Sequence, residues 1–199
     1  GKLTDTIAAD ISDYPSTANF GDPYKNYYKE DIYVGYRYFE TFAKDKVLYP
    51  FGYGLSYTTF ETKAEIFKNT EDELTVSATV TNTGSVKGKE VVQVYAEAPQ
   101  GLLGKPARVL CAFAKTGTLQ PGCAETLELT VPKSALASYD DDGATGHKSC
   151  FVLEVGTYTL YAGCDVRSAA PVGSFFIAKT LVTEALTECM APVKEFSRM

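Results

Sequence analysis

The most regular pattern in the chain has a period of two. Leu74, Val76, Ala78 and Val80 alternate with Thr75, Ser77, Thr79 and Thr81, the mark of a strand with one buried and one wet face. Asn82-Thr83-Gly84-Ser85 then turns the chain. Glu90 to Ala96 follows, with Val92, Val94 and Ala96 on one face and Val91 and Tyr95 on the other. That strand is apolar on both sides, so the pattern predicts cover over its outer face as well. Arg108 to Thr118 reads as a further strand, turned by Gln120-Pro121-Gly122, and Leu127, Leu129 and Val131 alternate again. Gly156 to Gly163 is a strand bounded by glycines, Ser174 to Thr180 reads as the last one, and Thr183 to Met190 is expected to make one or two helical turns. About seven strands with no helices between them predict a mainly β chain, an immunoglobulin-like sandwich. There is no Trp and no cysteine pair at the antibody-domain spacing, so the fibronectin type III version fits better.

Residues 1–57 do not share this pattern. Gly1 to Ala8 has no sustained period, Pro15, Gly21 and Pro23 punctuate a polar run, and no amphipathic helix of useful length is expected. The apolar content is mostly Tyr and Phe, which need a surface to cover them. Tyr49 to Phe60 crowds aromatics around Pro50, Gly52 and Gly54. Proline fixes one φ and glycine opens conformations closed to other residues, so this stretch reads as a shaped join between two folding units.

A net charge of −6 argues against a nucleic-acid partner, whose phosphates need a basic surface. No apolar run approaches the ~20 residues of a membrane helix. The cysteines Cys111, Cys123, Cys150, Cys164 and Cys189 are odd in number and contain no CxxC pair. They are expected to be buried or half-buried free thiols, which favours the cytoplasm, with secretion the alternative. Neither a metal nor a cofactor is expected.

Tyr28-Lys29-Glu30-Asp31-Ile32-Tyr33-Val34-Gly35-Tyr36-Arg37-Tyr38-Phe39, followed by Tyr49-Pro50-Phe51-Gly52-Tyr53-Gly54-Leu55-Ser56-Tyr57, resembles the late part of glycoside hydrolase family 3, the β-glucosidases. The segments 80–99, 119–140 and 156–163 resemble that family's fibronectin-like domain in the same order. The resemblance implies three parts: 1–57, the end of an α/β sandwich domain and a hinge; 58–182, a fibronectin type III-like domain; and 183–199, a linker like that of members whose catalytic barrel follows. It also implies partners, the α/β sandwich and barrel domains of the same enzyme. An oligomer is left open.

Retaining glycosidases need a carboxylate nucleophile and an acid/base carboxyl about 5–5.5 Å apart. In the family the nucleophile is an aspartate in a motif containing Trp, which this chain lacks, and the acid/base glutamate lies upstream of the phrase matched by Gly1-Lys2-Leu3. No catalytic residue is therefore carried over, and substrate-binding residues are unassigned. The expected role is the non-catalytic part of a β-glucosidase, stabilising and docking its catalytic domains; the alternative is a stand-alone carbohydrate-binding or structural module. Candidates for interdomain packing are Tyr33, Tyr36, Arg37, Tyr38, Phe51, Tyr53, Tyr57, Val91 and Tyr95, with Arg37 as an ion-pair or cation–π partner. Tyr24, Tyr27 and Tyr28 with Tyr33, Tyr36 and Tyr38 could instead form a sugar-stacking platform. Asp140-Asp141-Asp142-Gly143 has calcium-loop composition without the ligand alternation, so a solvated loop is expected. His147, the only histidine, is expected in a loop or interdomain hydrogen bond. Gly101 to Pro106 is a loop that could reach a sugar cleft.

Overall fold

The structure is a computed structural model describing residues 1–25, 27–190 and 193. In chain order its elements are β1 (Ile7–Ala8), α1 (Tyr36–Phe42), β2 (Val47–Tyr49), β3 (Phe60–Asn69), β4 (Glu73–Asn82) and β5 (Val91–Glu97). They continue with β6 (Val109–Lys115), β7 (Ala124–Pro132), β8 (Ser138–Asp140), β9 (Cys150–Leu153), β10 (Gly156–Gly163), β11 (Ala170–Ile177) and β12 (Leu181–Ala185).

Two antiparallel sheets make the sandwich, one in the order β11-β10-β5-β6 and the other β3-β4-β7. The alternation of β4 explains why. Val76 lies opposite Ile66 of β3 and Leu129 of β7, so one face of the sheet is apolar across all three strands. Leu74, Val76 and Val80 meet Val92, Val94, Tyr158 and Leu160 from the other sheet in a single core. The opposite face of β4 is polar and half-buried apart from buried Thr75, and Thr79 bonds across to Thr126 at 2.8 Å. The strand order and the antiparallel pairing form a mainly β sandwich.

Two expectations need correction. Thr183 to Met190 is not helical; Leu181–Ala185 pairs with β9 as the edge of a three-stranded sheet, β12-β9-β8. The ladder to β9 satisfies its backbone, and the Thr183 hydroxyl donates to Phe151 O at 3.1 Å. β-branched Val182 and Thr183 suit that extended form better than a helical turn. The rest of the proposed 183–199 linker falls, for 191, 192 and 194–199, outside the described residues. The second correction is α1, a seven-residue helix where none of useful length was expected. Two turns are too short for a 3.6-residue period to show. Tertiary contact holds them: Phe39 is fully buried and packs edge-on to Tyr14, ring centres 5.2 Å apart.

The β3–β4 end of the sandwich is fixed by one buried amide. Asn82 is fully buried and uses both of its ends. Its Oδ1 accepts from Thr58 Oγ1 at 2.7 Å and Gly84 N at 3.1 Å, and its Nδ2 donates to Val86 O and Leu119 O, both at 2.9 Å. Asn82→Ala strands several of these groups in a dry site. It should cost about 2–4 kcal/mol, since each unsatisfied buried group costs about 1–3 kcal/mol. Urea denaturation measures this as a lower midpoint with an unchanged slope.

Candidate functional site

No pair of carboxyl groups in this chain lies in a built catalytic cleft among the described residues. The chemically organised region is instead the seam where residues 1–57 lie on the outer face of the β11-β10-β5-β6 sheet. Tyr95 projects from that face and is fully buried, in a cluster with Val166 and Ala169 flanked by Tyr36, Phe51, Leu110 and Tyr161. Its hydroxyl donates to Gln93 Oε1, and Gln93 Nε2 donates to Cys164 O at 3.1 Å. Burial above all pushes the Tyr95 phenol far up from its ordinary pKa, so it stays a neutral donor.

Each part of the seam has its own fastening. Tyr36 stacks at 4.6 Å on Phe51 and sits edge-on to Tyr95 at 6.2 Å, while its hydroxyl accepts from Leu110 N at 2.8 Å. Thr41 Oγ1 accepts from Ala107 N at 2.9 Å. Both hydroxyls thus engage backbone donors in and just before β6, an edge strand. Val166 N donates to Phe51 O at 3.1 Å. Arg167 reaches across from the β10–β11 turn, Nε to Glu40 Oε1 at 2.9 Å and Nη2 to Lys44 O at 2.8 Å. Gly52 lies at φ +85°, and a Cβ there would stand 2.7 Å from Gln93 Nε2 and 2.8 Å from Asp165 Cα. Glycine is therefore required both by the backbone conformation and by the closeness of the sheet.

The structure thus brings Tyr36, Phe51 and Tyr95 together. It does not bring the other six candidates into the same cluster. Tyr33 is buried against Phe42 at 4.8 Å, and Tyr38 packs on Phe39 at 5.3 Å. Tyr53 packs on Tyr49, Val91 is half-buried at the far end of β5, and Tyr57 is 98% exposed. Arg37 makes no side-chain hydrogen bond or ion pair with a described residue; the expected cation–π role belongs to Arg108, 3.2 Å over the Tyr161 ring, and the expected ion pair to Arg167. Sequence reasoning missed Gln93, Glu40, Arg108, Val166 and Arg167. The one local signal was Asp165-Val166-Arg167-Ser168, where Asp165 Oδ1 accepts from Arg167 N and Ser168 N, both at 2.8 Å, and aims the turn. Tyr24 and Tyr28, offered as a stacking platform, are about nine-tenths exposed, whereas Tyr33 is buried, so those six tyrosines share no single face.

The loop Gln100–Lys105 is closed by its own side chains and by a buried ion pair. Gln100 Oε1 accepts from Lys105 N at 3.0 Å, and Lys105 Nζ pairs with Glu154, which also takes Leu102 N at 2.7 Å. Beside it lies a cleft of about 420 Å³ between the extension, the loop and the β8–β9 sheet. Asp140, Asp141 and Asp142 each bring one oxygen to within 4.8 Å of the others. Asp140 is already committed, however: its Oδ1 accepts from Gly143 N at 2.8 Å and Ala144 N at 2.9 Å, and its Oδ2 from Thr145 N at 2.8 Å. Burial works to raise its pKa, and these bonds together with the Thr145 hydroxyl hold it lower. His147 is exposed in the following loop. All five cysteines are free: Cys111, Cys150 and Cys164 are half-buried as expected, but Cys123 and Cys189 are exposed.

A model of the fibronectin type III-like domain matches residues 90–166. A β-glucosidase of Ruminococcus albus is 55% identical over the whole of this chain, which spans 21% of that relative. The solved β-glucosidase of Paenibacillus barengoltzii superposes with a TM-score of 0.94 at 56% identity, over 100% of this chain and 22% of that one. A GH3 β-glucosidase of Bifidobacterium adolescentis gives 0.79 at 32% identity, over 99% of this chain and 27% of that one. Residues 90–166 thus match a fibronectin type III-like domain, and the chain as a whole is similar to a part of these β-glucosidases. It spans about a fifth of the relatives' length, and the match includes the extension as well as the fibronectin-like domain.

Two outcomes follow. Gly52→Ala should loosen the extension while the fibronectin-like core persists. In hydrogen exchange the amides of Leu3, Gly52 and Val166 should lose protection, and those of β4 should keep it. Cys111 is held by burial in its neutral form, its thiol pushed up to about 12. At pH 8 the thiolate, the reactive species, is thus scarce there, and iodoacetamide should label Cys123 and Cys189 well before Cys111, as peptide mass mapping would report.

Proposed function

We propose that this chain is the non-catalytic portion of a family 3 β-glucosidase, the enzyme class that removes terminal β-D-glucosyl residues. The observation that carries this reading is the match over the entire chain to a minor part of β-glucosidases. In this reading 1–57 closes the α/β domain and forms the hinge, 58–182 is the fibronectin-like domain, and 183–199 leads toward a catalytic barrel. The extension works as an adapter. One side of it rests on the sandwich through Tyr36 and Phe51. The other presents Phe20, Tyr24, Tyr28, Leu55 and Tyr57, each more than four-fifths exposed, for the remaining domains to cover. A stand-alone module fits less well, because exposed apolar surface of this kind marks an interface.

The test is enzymatic. The isolated chain should release no more aryl alcohol from an aryl β-glucoside than buffer does, and the longer polypeptide that contains it should turn the substrate over. Turnover by the isolated chain that survives repurification and disappears on mutating one of its acidic residues would overturn the assignment.

A further inference from the structure

We propose that the β5–β6 loop is a latch: the buried Lys105–Glu154 pair sets where the loop stands, and the loop sets how firmly α1 of the extension is held. Lys105 and Glu154 are each only 3% exposed, whereas the Arg167–Glu40 pair leaves the Arg167 side chain 36% exposed. Glu154 lies in the connection between β9 and β10, where the small sheet meets the sandwich. Tyr158, a core residue, donates its hydroxyl to Glu154 O at 3.1 Å, so the sandwich fixes the position of Glu154. Its carboxylate faces the loop. One oxygen pairs with Lys105 Nζ, and the other accepts from Leu102 N at 2.7 Å. Gly101, at φ +54°, passes so close that a Cβ there would collide with the Glu154 carboxylate.

The loop is closed on itself, so it shifts as one piece. Gln100 Oε1 accepts from Lys105 N and Gln100 Nε2 donates to Lys105 O, both at 3.0 Å. Gln100 O accepts from Gly104 N at 3.1 Å and from Lys105 Nζ at 3.3 Å. The other side of the loop meets the extension. Ala107 N donates to Thr41 Oγ1 at 2.9 Å, and Thr41 Oγ1 donates to Arg37 O at 2.5 Å within α1. A Cβ on Gly104 would stand 3.6 Å from the Tyr33 hydroxyl. A continuous line of contacts thus runs from Glu154 through Lys105 and Ala107 to Thr41. Two charges taken out of water are tolerable only as a pair; removing one leaves the other buried and uncompensated. The sandwich core has no easy way to relieve that, but a loop does, because local openings are the least demanding motions of a fold. The cleft of about 420 Å³ runs along Leu103 to Pro106, so the loop has room to swing and let Lys105 hydrate. When it swings, Ala107 leaves Thr41 and α1 loses a fastening.

The experiment is hydrogen exchange of the full 199-residue chain, read amide by amide. Glu154→Gln and Lys105→Met should each lower protection about tenfold or more at Leu102, Gly104 and Ala107, and also at Phe39 and Ala43 of the α1 segment, while β4 and β7 keep theirs. Gly101→Ala forces the loop off Glu154 without changing any charge and should give the same pattern. The double variant Lys105→Met with Glu154→Leu buries no charge. It should restore Gly104, Ala107, Phe39 and Ala43, which a loss of packing alone would not do. If a single charge variant does not fold, Gly101→Ala and the double variant decide the matter between them. Full protection at Phe39 and Ala43 while the loop opens would overturn the coupling to α1. An unopened loop, a loss spread evenly into β4 and β7, or a double variant no better protected than the single ones would overturn the latch itself.

Discussion

The structure depends on a strand with no wet side. β5 sends Val92, Val94 and Ala96 into the sandwich and Tyr95 out of the opposite face. A fully buried aromatic contributes about 1.5–3 kcal/mol relative to leaving it exposed, and that sum is available only if something covers the outer face. The cover is the extension, through Tyr36 and Phe51, together with Val166 and Ala169 of the β10–β11 turn. Because Tyr95 also carries a hydroxyl, the cover must satisfy it, and Gln93 does so from two residues along the same strand face. Gln93 in turn ties to Cys164 in the β10–β11 turn, the turn from which Val166 and Arg167 reach back to Phe51 and α1. One polar chain thus connects the outer tyrosine, the turn and the extension.

That arrangement accounts for the composition of residues 1–57. A segment without a core of its own cannot use aliphatic side chains efficiently, since it has too little depth to bury them. Tyrosine serves better: the ring packs flat on a sheet, and the hydroxyl finds a backbone partner at the rim. Tyr36 does both, stacking on Phe51 and accepting from Leu110 N. Tyr14 does the same at the other end, its ring against Phe39 and its hydroxyl donating to Thr6 O at 2.9 Å while accepting from Ala8 N at 3.1 Å. The helix that Tyr36 opens is short because it is a packing device. Phe39 and Glu40 are its buried residues, one for the aromatic cluster and one for Arg167.

Most of the sandwich was legible in the sequence because period two is a local property. β4 and β7 carry it openly, and the register follows from matching their apolar faces. What failed to show were features decided by distant partners. β12 is a strand because β9 offers it a ladder, and α1 is a helix because Tyr14 and Arg167 hold Phe39 and Glu40. The seam was half legible. Tyr95 stood out by sitting opposite a buried face, and the glycines around Phe51 signalled a shaped backbone. Arg37 and Arg167 could not be told apart in that way. Both are lone arginines in turn-rich stretches, and only the fold puts Arg167 beside Glu40 and Arg37 along a cleft.

The extension's two sides also explain why Tyr49 to Phe60 is so rich in glycine and aromatics at once. Gly52 must come close enough to Gln93 and Asp165 that no side chain fits. Leu55 and Tyr57, a few residues on, point away and are more than four-fifths exposed. Between them the chain turns from a surface it must hug to one it must present. If the extension moved as a free arm, covering those outer aromatics would order the arm but not the sandwich. Arg167, Val166 and the Tyr36 hydroxyl instead fasten it to the sheet beneath.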